Sequence, residues 1–187
     1  MEELIQNAIG VITGLLLWPT ILLLLYGIGF SLFSLGNMLV ESFQRKGKPE
    51  TMADPRNPSQ HLLRLYGIQE WKKQLTLDNG APLWILHDRT EAALKKKIDR
   101  IKIWVKFGPA LGLAGTLIPL GAALQAVGVN NMKLLSDHLS VAFGSTILGL
   151  TAGVICMMIS TSYERWYGLD LAEIRQAIEN QEEKQNS

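Results

Sequence analysis

Charge is scarce in this sequence. Only 19% of its 187 residues are Asp, Glu, Lys or Arg, against about a quarter in an ordinary soluble domain. Cysteine is nearly absent: the single Cys156 excludes an internal disulfide, and no Cys/His cluster in the sequence is spaced to hold a structural metal. Aromatic residues make up 7% and the net charge is +1, so the chain lacks the basic, stacking-rich surface that nucleic acid requires. What is present points elsewhere. A hydrophobic content of 48% with 17 glycines excludes a disordered tail protein and indicates a membrane protein. The length allows one domain or two very small ones, and there is no internal repeat or low-complexity tract.

The missing charges leave three long gaps. Leu4 to Val40 is a charge-free run containing Leu15-Leu16-Leu17 and Leu22-Leu23-Leu24-Leu25, longer than the roughly 20 residues that a membrane helix needs. It does not read as a signal peptide: Glu2 and Glu3 stand where basic residues are usual, and no small-x-small cleavage site follows. A second run extends from Phe107 to Met132 and a third from His138 to Tyr163. These two differ in texture. Gly108, Gly112, Gly115, Gly121, Gly144, Gly149 and Gly153 recur at near-helical spacing, which lets helix backbones approach closely. The second and third spans are therefore expected among other helices, and the Leu- and Ile-rich first span against lipid. Gly149-x-x-x-Gly153 alone reads as helix or subunit packing.

The basic residues predict orientation. Of 18 Lys and Arg, 14 lie between Glu41 and Lys106; the others are Lys133, Arg165, Arg175 and Lys184. The positive-inside rule puts the long loop and the C-terminus in the cytoplasm and the N-terminus outside. The loop opens with Lys48-Pro49, Asp54-Pro55 and Asn57-Pro58, a turn-rich linker. Helical patterning returns from Ser59 to Leu77, and Asn79-Gly80 and Pro82 mark a further turn. Asp88 with Glu91 has the spacing of a capping box. After it, Leu94, Ile98, Ile101 and Val105 recur at spacings of 4, 3 and 4, predicting a helix that runs unbroken into the second span. Leu171, Ile174 and Ile178 extend the third span likewise as an amphipathic helix; Glu179 to Ser187 should fray. The run Lys95-Lys96-Lys97 reads as a solvated face. The organisation expected is residues 1–40 as the N-terminal region and first span, 41–106 as a cytoplasmic loop with amphipathic helices, 107–163 as the second and third spans, and 164–187 as a cytoplasmic helix and tail.

The wording of the second and third spans is more specific than their hydropathy. Gly108-Pro109-Ala110-Leu111-Gly112-Leu113-Ala114-Gly115-Thr116-Leu117 and Ala142-Phe143-Gly144-Ser145-Thr146-Ile147-Leu148-Gly149-Leu150 resemble the paired motifs G-P-x-L-G-L-x-G-T-V and A-L-x-x-T-x-x-G-L of the MotA/TolQ/ExbB proton-channel family. With three spans the layout is similar to the TolQ and ExbB branch rather than to the four-span MotA branch. The resemblance implies an all-α integral membrane protein of the inner membrane, its second and third spans extended into the cytoplasm. It implies a homopentamer around a dimer of single-span, TolR/ExbD/MotB-like helices carrying a membrane aspartate. Such an assembly turns proton motive force into mechanical work, with no cofactor, metal or nucleic acid.

A proton path needs groups that pass on hydrogen bonds without permanent charge, as hydroxyls do. The resemblance assigns Thr116 and Thr146 to the ion pathway, facing the lumen, and Ser145 more weakly, facing a neighbouring subunit. From position alone, a bond back to its own helix or to a neighbouring one explains either threonine better, and the motif context reverses that order. Pro109 and Pro119, with Gly112, Gly115, Gly149 and Gly153, are pore or packing positions. Pro119, well inside the second span, frees a backbone carbonyl that can bind water or serve only a packing kink. Pro19, Thr151 and Cys156 read as structural.

Neither glycine-rich span contains Asp, Glu, Lys or Arg, so any membrane acid must come from a partner. The family's TolQ and ExbB members carry a glutamate five residues before the second threonine, where this chain has Val141. Asp137 and His138, about a turn earlier, read as interfacial. No Ser/His pair, paired Asp or metal-ligand spacing appears in the spans, which argues against an enzyme. The competing class is a non-conducting scaffold that organises a partner through its small-residue faces.

Overall fold

A computed structural model of the chain describes residues 2–45, 52, 54–58, 62–78, 80–128 and 130–186. Four helices follow one another: α1 (Glu2–Gln44), α2 (Tyr66–Leu77), α3 (Leu83–Gly128) and α4 (Met132–Asn186), with a 3-10 turn at Leu62–Arg64. Among the described residues there is no strand. Three of the helices are long and apolar enough to cross a bilayer, namely α1 from Gly14, α3 and α4. The protein is thus a multi-pass membrane protein. The long helix expected across residues 94–105 into the second span is α3.

The start of α3 differs from expectation. It lies at Leu83, directly after Pro82, whose carbonyl accepts the N–H groups of Ile85 and Leu86 at 3.0 and 3.2 Å. Asp88 is therefore inside the helix, exposed, and Glu91 accepts an ion pair from Lys95 at 2.6 Å rather than closing a capping box. The physical reason is that Pro82 pre-sets a helical start, while Leu86 anchors this first turn in an apolar core.

The chain packs as two units, Met1–Ser34 with Lys102–Met157, and Leu35–Ile101 with Met158–Ser187. In the first, α1 buries a narrow stripe, Thr20, Leu24, Gly27, Ser31 and Ser34, at spacings of 4, 3, 4 and 3. The Thr20 and Ser31 hydroxyls donate to the carbonyls of Leu16 and Ile28, at 2.7 and 2.8 Å, so neither carries an unmet polar atom into an apolar medium. Leu15, Trp18, Leu22, Leu25 and Phe33 are exposed. Gly27 is where Trp104 of α3 lies: a Cβ there would run into the indole, which also packs against Tyr26 and Phe30 at centroid distances of 5.7 and 6.1 Å. Between α3 and α4 the chain reverses at Asn130, which takes φ 53°, a left-handed conformation that asparagine tolerates. Asn131 then caps α4, its Oδ1 accepting the Leu134 N–H at 3.1 Å.

The second unit has a conventional core. Ile68, Trp71 and Leu75 from α2 pack with Leu86 from α3, with Ile174, Ala177 and Ile178 from α4, and with Met52 and Leu62. Trp71 is wholly buried, and its indole N–H donates to the Pro55 carbonyl at 2.7 Å. That bond ties the non-helical residues 54–58 to the core; the Lys48-Pro49 part of the expected linker lies outside the described residues. The expected fraying after Glu179 is not what the structure shows. The helix continues to Asn186, and the Trp84 indole N–H donates to Glu182 at 2.8 Å.

Candidate functional site

Within the first unit, α3 and α4 meet along glycine. A Cβ on Gly108 would stand 2.8 Å from the Gly149 carbonyl oxygen; one on Gly149 would stand 2.7 Å from the Gly112 Cα; and one on Gly153 would stand 2.8 Å from the Pro109 ring. Real Cβ atoms do not sit this close to backbone or to a proline ring, so the seam requires hydrogen at these positions. Gly121 and Gly144 are different: a Cβ on either meets nothing within 4 Å. Only part of the small-residue pattern is used inside one subunit. In the single subunit the outer faces of both glycine-rich spans are bare, with Leu113, Leu117, Phe143, Ile147, Leu150 and Val154 exposed.

The hydroxyls fall on and beside this seam. Thr146 Oγ1 lies 3.4 Å from the Gly112 carbonyl on α3 and 3.5 Å from the Ala142 carbonyl of its own helix, two long contacts that hold the group loosely. Thr116 Oγ1 donates to the Leu113 carbonyl at 2.6 Å and is half-buried. Ser145 does not face outward toward a neighbour as the sequence suggested. It is buried at 6% exposure, donates to Ala142 at 2.7 Å, and takes the space that a side chain on Gly115 would need. The reason is that Ser145 sits three and four residues from Ala142 and Gly149, on the buried side of α4. Pro119 is fully buried and Pro109 half-buried; Pro119 cannot donate to the Gly115 carbonyl four residues back. Cys156 is buried, whereas Thr151, read as a packing residue, is exposed. Val141 is 43% exposed. Among the described residues one group brings metal-ligand atoms within 4.8 Å, His87, Asp88 and Glu91. Its Asp88 is exposed and its Glu91 is already held by Lys95.

A family model described as the MotA/TolQ/ExbB proton channel family matches residues 83–178, half of the chain. The chain belongs to the MotA/TolQ/ExbB proton channel family. The match takes in all of α3 and most of α4, including both threonines and the glycine seam, while α1 and α2 lie outside it. No individually curated protein matches the chain. The family is one of transport proteins, not of enzymes.

This family member has a second polar site, in its second unit, that the sequence did not disclose. Arg45 binds Asp170 through two nitrogens, at 2.8 and 2.7 Å, and Glu41 at 3.1 Å. Both carboxylates are almost fully buried, and Gly67 makes the room, since a Cβ there would run into the Asp170 carboxylate. Although burial opposes the charged guanidinium, its bonds to Asp170 and then Glu41 outweigh that cost and raise the Arg45 pKa. Lys97, expected on a solvated face, instead has its ammonium 3.3 Å from the Tyr66 ring centroid and within 5.2 Å of those of Tyr163 and Tyr167. It donates to the Tyr167 hydroxyl at 2.7 Å. Burial lowers the Lys97 pKa and raises those of Tyr66 and Tyr167. The available signal was aromatic: Tyr163 and Tyr167 are four residues apart on α4 and stack at 5.2 Å, an arrangement that offers a π face to a cation.

Proposed function

We propose that this chain is the ion-conducting subunit of a 5:2 motor of the inner membrane. Five copies surround two single-span helices of a TolR/ExbD-like partner, and proton flow past the partner's aspartate drives rotation and mechanical work. The N-terminus is outside and the loop and C-terminus are cytoplasmic, as the basic-residue distribution favours. The observation that carries the reading is the family match across α3 and α4, on a pair of helices that place hydroxyls but no Asp, Glu, Lys or Arg in their apolar segments. Thr146, loosely held on the seam, and Thr116 beside it line the pathway; the carboxyl group comes from the partner. Ser145 acts by holding the seam. Bare apolar faces on α3 and α4 are what a subunit destined for a ring would present.

The first test is the native mass of the complex in detergent after co-expression with whatever single-span protein is encoded beside it. Five copies with two of the partner are expected. A monomer, a dimer or a ring that takes up no partner helix would overturn the motor reading. A non-conducting scaffold is the second reading, favoured by Thr116, whose hydroxyl is already satisfied within its own helix. Thr116→Val with Thr146→Val separates the two. The motor should assemble yet lose proton flux, whereas unchanged flux in the double variant removes both threonines from the pathway.

A further inference from the structure

Three titratable groups of the second unit form one hydrogen-bonded line across three helices. Lys97 Nζ on α3 donates to the Tyr167 hydroxyl on α4 at 2.7 Å, and that hydroxyl donates to Glu41 Oε2 on α1 at 3.3 Å. Tyr167 and Glu41 are buried, at 1% and 7% exposure. Among the described residues, charged and titratable groups from three helices lie against the line. From α1 and the residue after it come Glu41 and Arg45, from α2 Tyr66, and from α4 Tyr163, Tyr167 and Asp170. Arg45 is occupied by Asp170 and by the other oxygen of Glu41.

The two cations of this cluster are chemically unlike. Arg45 makes the permanent, bidentate pair, which suits a group that is never deprotonated. The second cation is a lysine, the residue whose proton becomes labile on burial, and it is separated from its carboxylate by a hydroxyl instead of touching it. An ion pair serving packing alone has no need of that intervening hydroxyl.

We propose that Lys97, Tyr167 and Glu41 form a proton relay, taking up a proton at Lys97 and passing it through the Tyr167 hydroxyl to Glu41. The proposal rests on the channel reading above. In the transfer step the Tyr167 O–H bond breaks as an O–H bond forms on Glu41 Oε2. At the same time one Lys97 N–H bond breaks and its proton bonds to the Tyr167 oxygen. Ammonium and carboxylate become amine and carboxylic acid, and Tyr167 is a neutral phenol before and after. Glu41 then releases the proton and the Lys97 amine takes another, both exchanges being with water. Burial supports the step from both ends: it weakens the hold of Lys97 on its proton and makes a free tyrosinate unfavourable, so the transfers are concerted. Glu41 directly follows the charge-free run of α1, and Tyr163 closes that of α4. In the proposed topology both mark the cytoplasmic ends of their spans.

The test uses Tyr167→Phe, which keeps the ring around Lys97 but removes the hydroxyl, and Lys97→Arg, which keeps charge but cannot give up a proton. The Glu41 carboxyl is followed by its infrared C=O stretch in the purified subunit, identified through its loss in Glu41→Gln. After a pH jump, the rate at which that band responds should fall about tenfold in both variants. An unchanged rate in both would overturn the relay. In proteoliposomes of the complex with its partner, both variants should assemble normally, lose about tenfold of the flux, and show an altered pH profile. Unchanged flux and profile would overturn the relay while leaving the channel intact. A wild-type complex that passes no protons removes the channel reading, and the infrared rate then decides the relay by itself. Should Tyr167→Phe fail to fold, Lys97→Arg carries both measurements.

Discussion

The two units of this chain are built from the same three long helices by opposite means. In the unit of Met1–Ser34 and Lys102–Met157, α3 and α4 touch through glycine, with backbone against backbone and hydroxyls bonded to nearby carbonyls. In the other, large side chains do the packing: a wholly buried Trp71, stacked Tyr163 and Tyr167, and a buried Arg45–Asp170 pair. In the proposed topology the difference follows the solvent. Lipid gives apolar surface no reason to leave it, so helices gain by close van der Waals approach. In water, burial of large apolar groups drives packing, and cations can lie against aromatic faces.

The sharpest way to break that contrast is to remove a buried charge. Asp170→Ala leaves Arg45 with Glu41 alone and should cost about 3–5 kcal/mol. Chemical denaturation in detergent should show the second unit lost, and an unaltered denaturation midpoint would mean the pair is peripheral. Next comes the glycine seam. Gly149→Ala places a Cβ 2.5 Å from the Gly108 carbonyl oxygen, and overpacking of this kind costs about 1–3 kcal/mol. Gly144→Ala, with open space around it, should leave the isolated subunit as stable as the parent. Thermal unfolding of the two variants side by side checks the distinction, and a Gly144→Ala defect confined to ring assembly would place that face between subunits. Trp71→Phe keeps most of the buried area but deprives the Pro55 carbonyl of its donor, for a loss of about 1–2 kcal/mol. Limited proteolysis around residues 54–58 should become faster.

The smallest effect is on pH dependence. The Lys97 pKa is lowered in the folded chain, so the unfolded chain holds that proton to a higher pH. The stability it contributes is full above the unfolded value near 10.5 and is lost as pH falls through the folded value. Relative to Lys97→Met, the wild type should therefore gain stability as pH rises toward 10.5. Tyr66 and Tyr167 work in the opposite sense, since their raised pKa values give stability that is present below pH 10 and lost above it. Denaturation midpoints of both proteins across the alkaline range check the signs. A difference that does not change with pH would mean that Lys97 keeps an ordinary proton affinity.

How far the sequence carried can be judged residue by residue. The charge-free runs and the long helix through residues 94–105 were legible, because hydropathy and helical period are properties of neighbours along the chain. The family was legible from ten residues around Gly108 to Leu117 and nine around Ala142 to Leu150. The capping box at Asp88 was misread because a carboxylate followed three residues on by another has the same spacing inside a helix as at its start. Ser145 was misdirected because its neighbour Thr146 carried the motif, while the turn of the helix points the two to different sides. The seven glycines looked equivalent, yet five have neighbours where a Cβ would go and two do not.

Composition and periodicity thus determined, without any structure, that this is a helical membrane protein with three long apolar runs, and the wording of two motifs pointed to its family. Each of those facts follows from local order along the chain and from the bilayer's refusal of charge. Only the tertiary structure decided which glycines are obligatory and that Lys97 lies among tyrosines instead of in water. It alone set Glu41, Tyr167 and Lys97, far apart in sequence, in one hydrogen-bonded line. Those facts depend on which side chains distant segments bring together, and a pattern read along a single helix does not contain its neighbours.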